Sequence, residues 1–242
     1  MKYAGGCDKQ KKMIDVAANY RTITQRIGEA AAKAGRDAGD IKLLGAAKSQ
    51  SIELVRAAIA VGVRFIGENY LQEAESKRQV ILEPVEWHMI GHLQRNKVKA
   101  ALNTFDLIES LDSVPLALEL NKEGKKKGKM VRAFIEVNLG DEQSKAGVGR
   151  EKVAELVQRV GELSHVRVEG LMAVPPFKED PEEVRPYFRA LKGLQADLLR
   201  LQIPNARLTE LSMGMTHDYP IAVEEGATLV RIGTALFGLR KA

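Results

Sequence analysis

Lys48 ends an apolar run, Ile41-Lys-Leu-Leu-Gly-Ala-Ala-Lys48, in which small residues precede the amine. An ammonium withdrawn from water gives way to the neutral amine, the form that attacks an aldehyde. A lysine that merely snorkels from a strand end into solvent fits the same position. Two glycine-bearing segments near the other end of the chain, Ser212-Met-Gly-Met215 and Arg231-Ile-Gly-Thr-Ala-Leu-Phe-Gly238, suit an anion. Gly214 and Gly233 would let backbone N–H groups approach it, Ser212 and Thr234 would add hydroxyl donors, and a helix opening near Thr234 would add a positive dipole end. The structural alternative is that these glycines only make tight turns. Arg231 lies inside the apolar stretch Thr-Leu-Val-Arg-Ile, where an unpaired guanidinium would cost several kcal/mol. It must serve a phosphate, a carboxylate, a ring nitrogen or a salt bridge.

An imine-forming lysine, a phosphate cradle and an arginine beside an aromatic ring nitrogen together suggest pyridoxal 5′-phosphate (PLP). A permanently charged guanidinium at the pyridine nitrogen disfavours protonating it, which weakens the ring as an electron sink. Other combinations carry less. His88 and His92 have metal-ligand spacing only on a helix, which Gly91 argues against, so no metal is expected. Ser212, His217 and Asp218 are close in sequence but lie outside a nucleophile-elbow context. Asn138 and the turn Ser144-Lys-Ala-Gly147 are polar, and suit either a functional loop or an ordinary turn. Met172, Met213 and Met215 read as packing residues. Neither a Walker loop nor a dinucleotide fingerprint occurs.

The positioning elements follow from periodicity. Short apolar runs at 41–47, 64–67, 85–90, 107–109, 131–137, 166–174, 208–211 and 228–232 alternate with helix-like segments at 52–61, 71–81, 114–122, 153–163 and 184–201. Short apolar strands between helices predict a parallel sheet covered on its outer face. Eight such units favour an α/β fold of one (β/α)₈ TIM barrel, with an extra leading helix over 11–33 ended by Gly35, rather than an open sheet. In such barrels the chemistry gathers at the strand C-termini, and the runs end at Lys48, Asn69, His88, Ser110, Asn138, Met172, Ser212 and Arg231.

The 242 residues suit a single domain, with 45% hydrophobic and 29% charged residues excluding intrinsic disorder. The net charge is +5, and the densest basic run, 122–129, holds no aromatic residue and two glycines. It reads as a solvated loop, with no nucleic-acid partner expected. No apolar stretch is long enough to span a membrane, and the start carries no signal-peptide pattern. Cys7 is the only cysteine, so neither a disulfide framework nor a cysteine zinc site is expected, and the compartment is read as cytoplasmic.

The sequence resembles the pyridoxal phosphate homeostasis proteins, the YggS/PROSC type. The matching stretches are Leu43-Leu-Gly-Ala-Ala-Lys48, Phe65-Ile-Gly-Glu-Asn-Tyr70, Trp87-His-Met-Ile-Gly-His-Leu-Gln-Arg-Asn-Lys97, Glu136-Val-Asn138, Ser144-Lys-Ala-Gly147, Gly170-Leu-Met-Ala173, Leu211-Ser-Met-Gly-Met-Thr-His-Asp218 and the run from Glu225 to Gly238. They extend from about residue 11 to 239, leaving residues 1–10 as an extension. Ala47 and Thr216-His217 depart from the serine-rich pattern usual there. The resemblance implies a barrel like the N-terminal domain of alanine racemase, with PLP bound covalently to Lys48 as an internal aldimine. It implies Arg231 at the pyridine nitrogen, Ser212, Gly233 and Thr234 on the phosphate with Met213 and Gly214 in the same loop, and Asn69, His88 and Met172 lining the ring.

A racemase of this fold needs a second base on the opposite face of the substrate carbon, supplied in related enzymes by a tyrosine of a C-terminal domain. The chain ends four residues after Gly238, and only Tyr70 and Tyr219 fall near the expected barrel mouth. The expectation is therefore a non-catalytic PLP-binding protein of vitamin B6 homeostasis, a monomer, with apo PLP-dependent enzymes as recipients. A PLP-dependent amino-acid racemase and a Schiff-base aldolase are the alternatives.

Overall fold

The computed structural model describes residues 14–140 and 146–239. Eight parallel strands form a closed ring. They are β1 (Lys42–Ala46), β2 (Phe65–Glu68), β3 (Glu86–Met89), β4 (Leu107–Leu111), β5 (Val131–Asn138), β7 (Val166–Met172), β8 (Ala206–Ser212) and β9 (Leu229–Ile232). Their order around the ring is β4-β3-β2-β1-β9-β8-β7-β5, and a β4–β5 pairing closes it. A two-residue strand, β6 (Val148–Gly149), pairs with β5 alone outside the ring. This is the expected (β/α)₈ barrel.

Between the strands run α2 (Ile52–Ala60), α3 (Leu71–Arg78), α4 (Val98–Thr104), α5 (Val114–Lys127), α6 (Val153–Gly161), α7 (Arg185–Arg200), α8 (Tyr219–Glu224) and α9 (Thr234–Phe237). The leading helix, α1 (Val16–Lys33), starts at Asp15, whose side chain accepts from the Ala18 amide at 2.8 Å. Gly35, at φ +65°, lets the chain leave the helix. Residues 11–13 of the expected helix, Cys7 and the extension lie outside the described residues, as do Ser144 and Lys145. α1 packs against the two short helices α8 and α9, with Asn19 Nδ2 donating to the Leu236 carbonyl at 2.9 Å.

Several boundaries differ from the sequence reading. β4 runs to Leu111, so Ser110 is a buried mid-strand residue and not a strand end. The basic run 122–129 is not a loop: it is the last part of α5, ended by Gly128 in the left-handed region at φ +60°. Its lysines stay solvated, and Lys122 and Lys126 pair with Glu119 and Glu123 one turn earlier. The glycines that suggested a loop are a helical Gly124, buried beneath Val131, and this cap. α4, too short for a clear period, is a further element that periodicity missed.

Valine, leucine and isoleucine side chains on the outer strand faces meet the helices in the main core. Inside the ring a small separate cluster holds Leu107, Phe134 and Met172. Leu44 and Leu229 add buried apolar groups outside the main core, and much of the remaining interior is charged.

Candidate functional site

Several of the interior charges form one continuous chain of contacts, while Lys42 and Glu210 make a separate pair at 2.6 Å. Arg231 Nη1 donates to Ser212 Oγ at 2.5 Å and Nη2 to the Ala173 carbonyl at 2.8 Å. Ser212 Oγ in turn donates to Glu109 Oε2, and the other Glu109 oxygen lies 2.6 Å from His88 Nδ1. His88 Nε2 is 3.0 Å from Glu86, which accepts from Arg132 Nη1 at 2.7 Å. Arg132 Nε reaches Glu169 at 2.8 Å, and Arg167 Nη2 reaches the other Glu169 oxygen at 2.6 Å. A TIM barrel is normally filled with branched apolar side chains, so this chain of ions replaces part of that packing with fixed charge.

Each nitrogen of His88 faces a carboxylate, and only the imidazolium donates from both. Burial, the largest influence on His88, opposes its charge, but the hydrogen bonds to Glu109 and Glu86 outweigh it and raise its pKa above the ordinary value. Glu86 is correspondingly held down to about 2, first by the His88 hydrogen bond and then by the charges of His88 and Arg132. Burial also works against the Arg231 guanidinium, which Glu109, Glu136 and Asp218 support electrostatically. Glu136, near the C-terminal end of β5 and 8% exposed, is pushed up to about 7 by burial, with Asp112 and Glu109 adding and Arg231 opposing.

Above this chain lies the barrel mouth. Lys48 follows β1 by two residues and is half-buried. Its Nζ sits 5.1 Å from the centre of the Tyr70 ring, and it makes no hydrogen bond or ion pair among the described residues. β1 pairs with β9, Gly45 beside Ile232, so the Lys48 turn and the Gly233 turn emerge side by side. Gly214 adopts φ +91°, and a Cβ there would lie 2.5 Å from the Ala222 Cβ. Gly233 differs: a Cβ on it would meet nothing nearer than the Ala46 carbonyl oxygen at 3.7 Å, so its exposed edge faces open space. No hydrogen bond occupies the amides of Gly214, Gly233 or Thr234 among the described residues. The two loops are tied together, since the Arg231 amide donates to the Gly214 carbonyl at 3.0 Å and the Ala235 amide to Thr216 Oγ1 at 3.1 Å.

The structure thus gathers Lys48, Gly214, Arg231, Gly233 and Thr234 at or just below one rim, and separates some other residues from it. The Ser212 hydroxyl is committed to Arg231 and Glu109. Met213 points outward into the main core, while Met172 points inward. His88 is set below the rim, between Glu109 and Glu86, and Asn69 is half-buried at the end of β2. His92 is exposed, 3.6 Å from Asp112. His217 faces the Glu179 carbonyl and the Phe177 ring, away from Ser212. Tyr219 is buried in the helical shell. Glu86, Glu109, Arg132, Glu136 and Glu169 were not singled out from the sequence. Their signal is a charged residue every second position in otherwise apolar strands, as in Glu86-Trp-His88 and Arg167-Val-Glu169, which places them all on the inner face.

Residues 15–241 match the family model of the alanine racemase N-terminal domain. A pyridoxal phosphate homeostasis protein of Aquifex aeolicus is 46% identical over 220 residues, covering 90% of this chain and 96% of that one. Its counterpart in Escherichia coli K12 is 34% identical over 232 residues, covering 94% and 98%. The chain belongs to the pyridoxal phosphate homeostasis protein family. Within the wider fold, PipY of Synechococcus elongatus, solved with PLP bound, superimposes with a TM-score of 0.81 at 32% identity, over 93% of this chain and all (100%) of that one. An alanine racemase of Corynebacterium glutamicum shares the fold, with a TM-score of 0.70 at 16% identity, and this chain covers 61% of it.

Proposed function

We propose that this protein holds pyridoxal 5′-phosphate at the barrel mouth, bonded to Lys48, and serves vitamin B6 homeostasis by buffering or delivering it without strong catalysis of its own. The observation that carries the reading is the pairing of an uncommitted Lys48 amine with the open Gly233 edge on adjacent strands. The residues present fit the group. The Gly214, Gly233 and Thr234 amides, without backbone partners among the described residues, would be available to a phosphate, and the Thr234 hydroxyl would add a donor. α9 is only four residues long, so local N–H groups rather than a helix dipole do this work. Bound PLP supplies an aldehyde carbon to which a primary amine can bond and a ring that accepts electron density.

The chain's own residues set the limits of that chemistry. Arg231, fixed by Ser212 and Ala173, would present a permanent cation to the ring nitrogen and so disfavour its protonation. Asn69 and Met172 would flank the ring, and His88 would support Glu109 beneath it. The Tyr70 ring lies 5.1 Å from the Lys48 amine, so beside a bound substrate it would stand near the lysine rather than across from it. The family relatives carrying the homeostasis name support the same reading. Purified protein should be yellow, and Lys48→Ala should lose the visible absorbance while remaining folded. Absorbance unchanged in that variant refutes the lysine assignment. Racemisation of a panel of L-amino acids well above the rate of free PLP would overturn the carrier reading in favour of a racemase.

A further inference from the structure

Lys48 occupies the second position of a tight turn. The Gln50 amide donates to the Ala47 carbonyl at 3.0 Å, and Ser49 at the third position adopts φ +60° while Lys48 does not have positive φ. That is a type II pattern, in which the third position ordinarily demands glycine. A serine there needs outside support, and it comes from one helix. The Ser49 amide donates to Glu73 Oε2 at 2.8 Å, and Lys77 Nζ donates to the Ala47 carbonyl at 2.6 Å. Both peptide groups flanking Lys48 are therefore bonded to side chains of α3. Lys77 is in turn held by Glu68, at the end of β2, and lies 3.6 Å from Glu73.

The arrangement is costly for a merely structural contact. Lys77 is 6% exposed and Glu68 0%, and one Glu68 oxygen has no partner. A buried ion pair of this kind seldom stabilises a fold more than apolar side chains of similar volume would. What it does provide is direction: the Lys77 ammonium points at the one carbonyl that precedes Lys48.

We propose that Glu68, Glu73 and Lys77 form a positioning clamp that fixes the Lys48 turn and so aims its amine. They are positioning residues, since their contacts are to the Lys48 turn and to one another. The inference rests on the cofactor reading above and adds to it the part of the fold that sets the lysine's geometry. Ser49 tolerates its left-handed backbone because the clamp holds both sides of the turn, and releasing either side lets Lys48 rotate away from the Gly233 edge.

The test uses the full chain. Glu73→Ala removes the Ser49 acceptor at a partly exposed position and is expected to fold; Lys77→Met removes the Ala47 contact. PLP is titrated into each apo-protein with visible absorbance as the signal, and the pH midpoint of the bound chromophore, the Ser49 amide exchange rate and the apo-protein melting temperature are recorded. Both variants should bind PLP at least about tenfold more weakly, as expected when a reacting group loses its aim. The pH midpoint should move and Ser49 exchange should accelerate, while Glu73→Ala melts close to the parent. If Lys77→Met fails to fold, Glu73→Ala alone decides. Parent-like affinity and midpoint in Glu73→Ala, in a chain whose parent binds PLP through Lys48, overturn the clamp. A parent chain that shows no Lys48-dependent chromophore overturns the cofactor reading instead.

Discussion

His88 Nδ1 lies 2.6 Å from a Glu109 oxygen inside the barrel, with side-chain exposures of 2% and 0%. Neither group would tolerate that depth alone, because an isolated buried charge is far costlier than a paired one. The imidazolium joins Glu109 to Glu86, and Glu109 joins His88 to the Ser212–Arg231 pair. Replacing His88 by leucine should therefore destabilise the protein by about 3 kcal/mol, the cost of leaving a buried carboxylate uncompensated. The pH dependence has a definite sign. A histidine whose folded pKa is raised contributes stability that is complete below its unfolded value and is lost as the pH rises through its folded value. The parent melting temperature should fall more steeply than that of His88→Leu as the pH rises above the ordinary histidine value, and equal slopes would show that His88 is not the charged form.

Arg231 is the point at which this chain of ions meets the proposed cofactor. Arg231→Gln keeps a donor near Ser212 but removes the permanent charge. The visible band of the bound cofactor should shift, because the ring nitrogen then gains a neighbour that no longer opposes its protonation. Affinity should fall about tenfold or more, as for loss of a charged hydrogen-bonding partner. Spectrophotometric titration measures both, and an unchanged band with unchanged affinity would remove Arg231 from contact with the ring.

Much of this was legible in the residues. The eight strands, the turn carrying Lys48 and the paired glycine loops are local signals, and the barrel has them in that order, with boundaries shifted and α4 unsignalled. What was not legible depends on three-dimensional closure. Arg231 reads as one odd charge in an apolar strand, and its partners Ser212, Glu109 and Ala173 come from three other segments of the chain. Met213 sits between two loop residues in sequence, yet strand alternation turns it outward into the helical core while Ser212 turns inward. The basic end of α5 misled for a different reason. Its two glycines weigh against helix by propensity, but burial of Gly124 and the left-handed cap at Gly128 hold the helix together.

Glu136 offers a second pH test, in which removing the group stabilises the fold. Burial first, then the nearby Asp112, push its carboxyl up to about 7. An acid raised in the folded state binds more protons folded than unfolded between about pH 4.5 and 7, so its contribution to stability declines as the pH climbs through that window. Glu136→Gln removes the penalty. Its melting temperature should exceed the parent's by a few degrees at pH 8 and by less at pH 5, since about 1 kcal/mol moves a chain of this size 2–4 °C. A gain that is the same at both pH values would mean that Glu136 does not titrate in this range.

The two loop glycines separate folding from binding. At Gly214 an alanine meets the Ala222 methyl at 2.5 Å and must also hold φ +91°, a region that L residues rarely enter. Gly214→Ala should therefore lose stability by roughly 2 kcal/mol or more. At Gly233 the same methyl group finds the nearest protein atom 3.7 Å away, and φ is −100°. Gly233→Ala should melt within a few degrees of the parent, because nothing in the protein obstructs it. Its methyl would instead stand in the space assigned to the phosphate, so inorganic phosphate and PLP should both compete poorly for the site, with PLP affinity reduced about tenfold or more. Melting curves and PLP titrations on the two variants check this directly. A Gly233→Ala protein that keeps full affinity would show that the phosphate does not rest against that turn, whatever happens at Lys48.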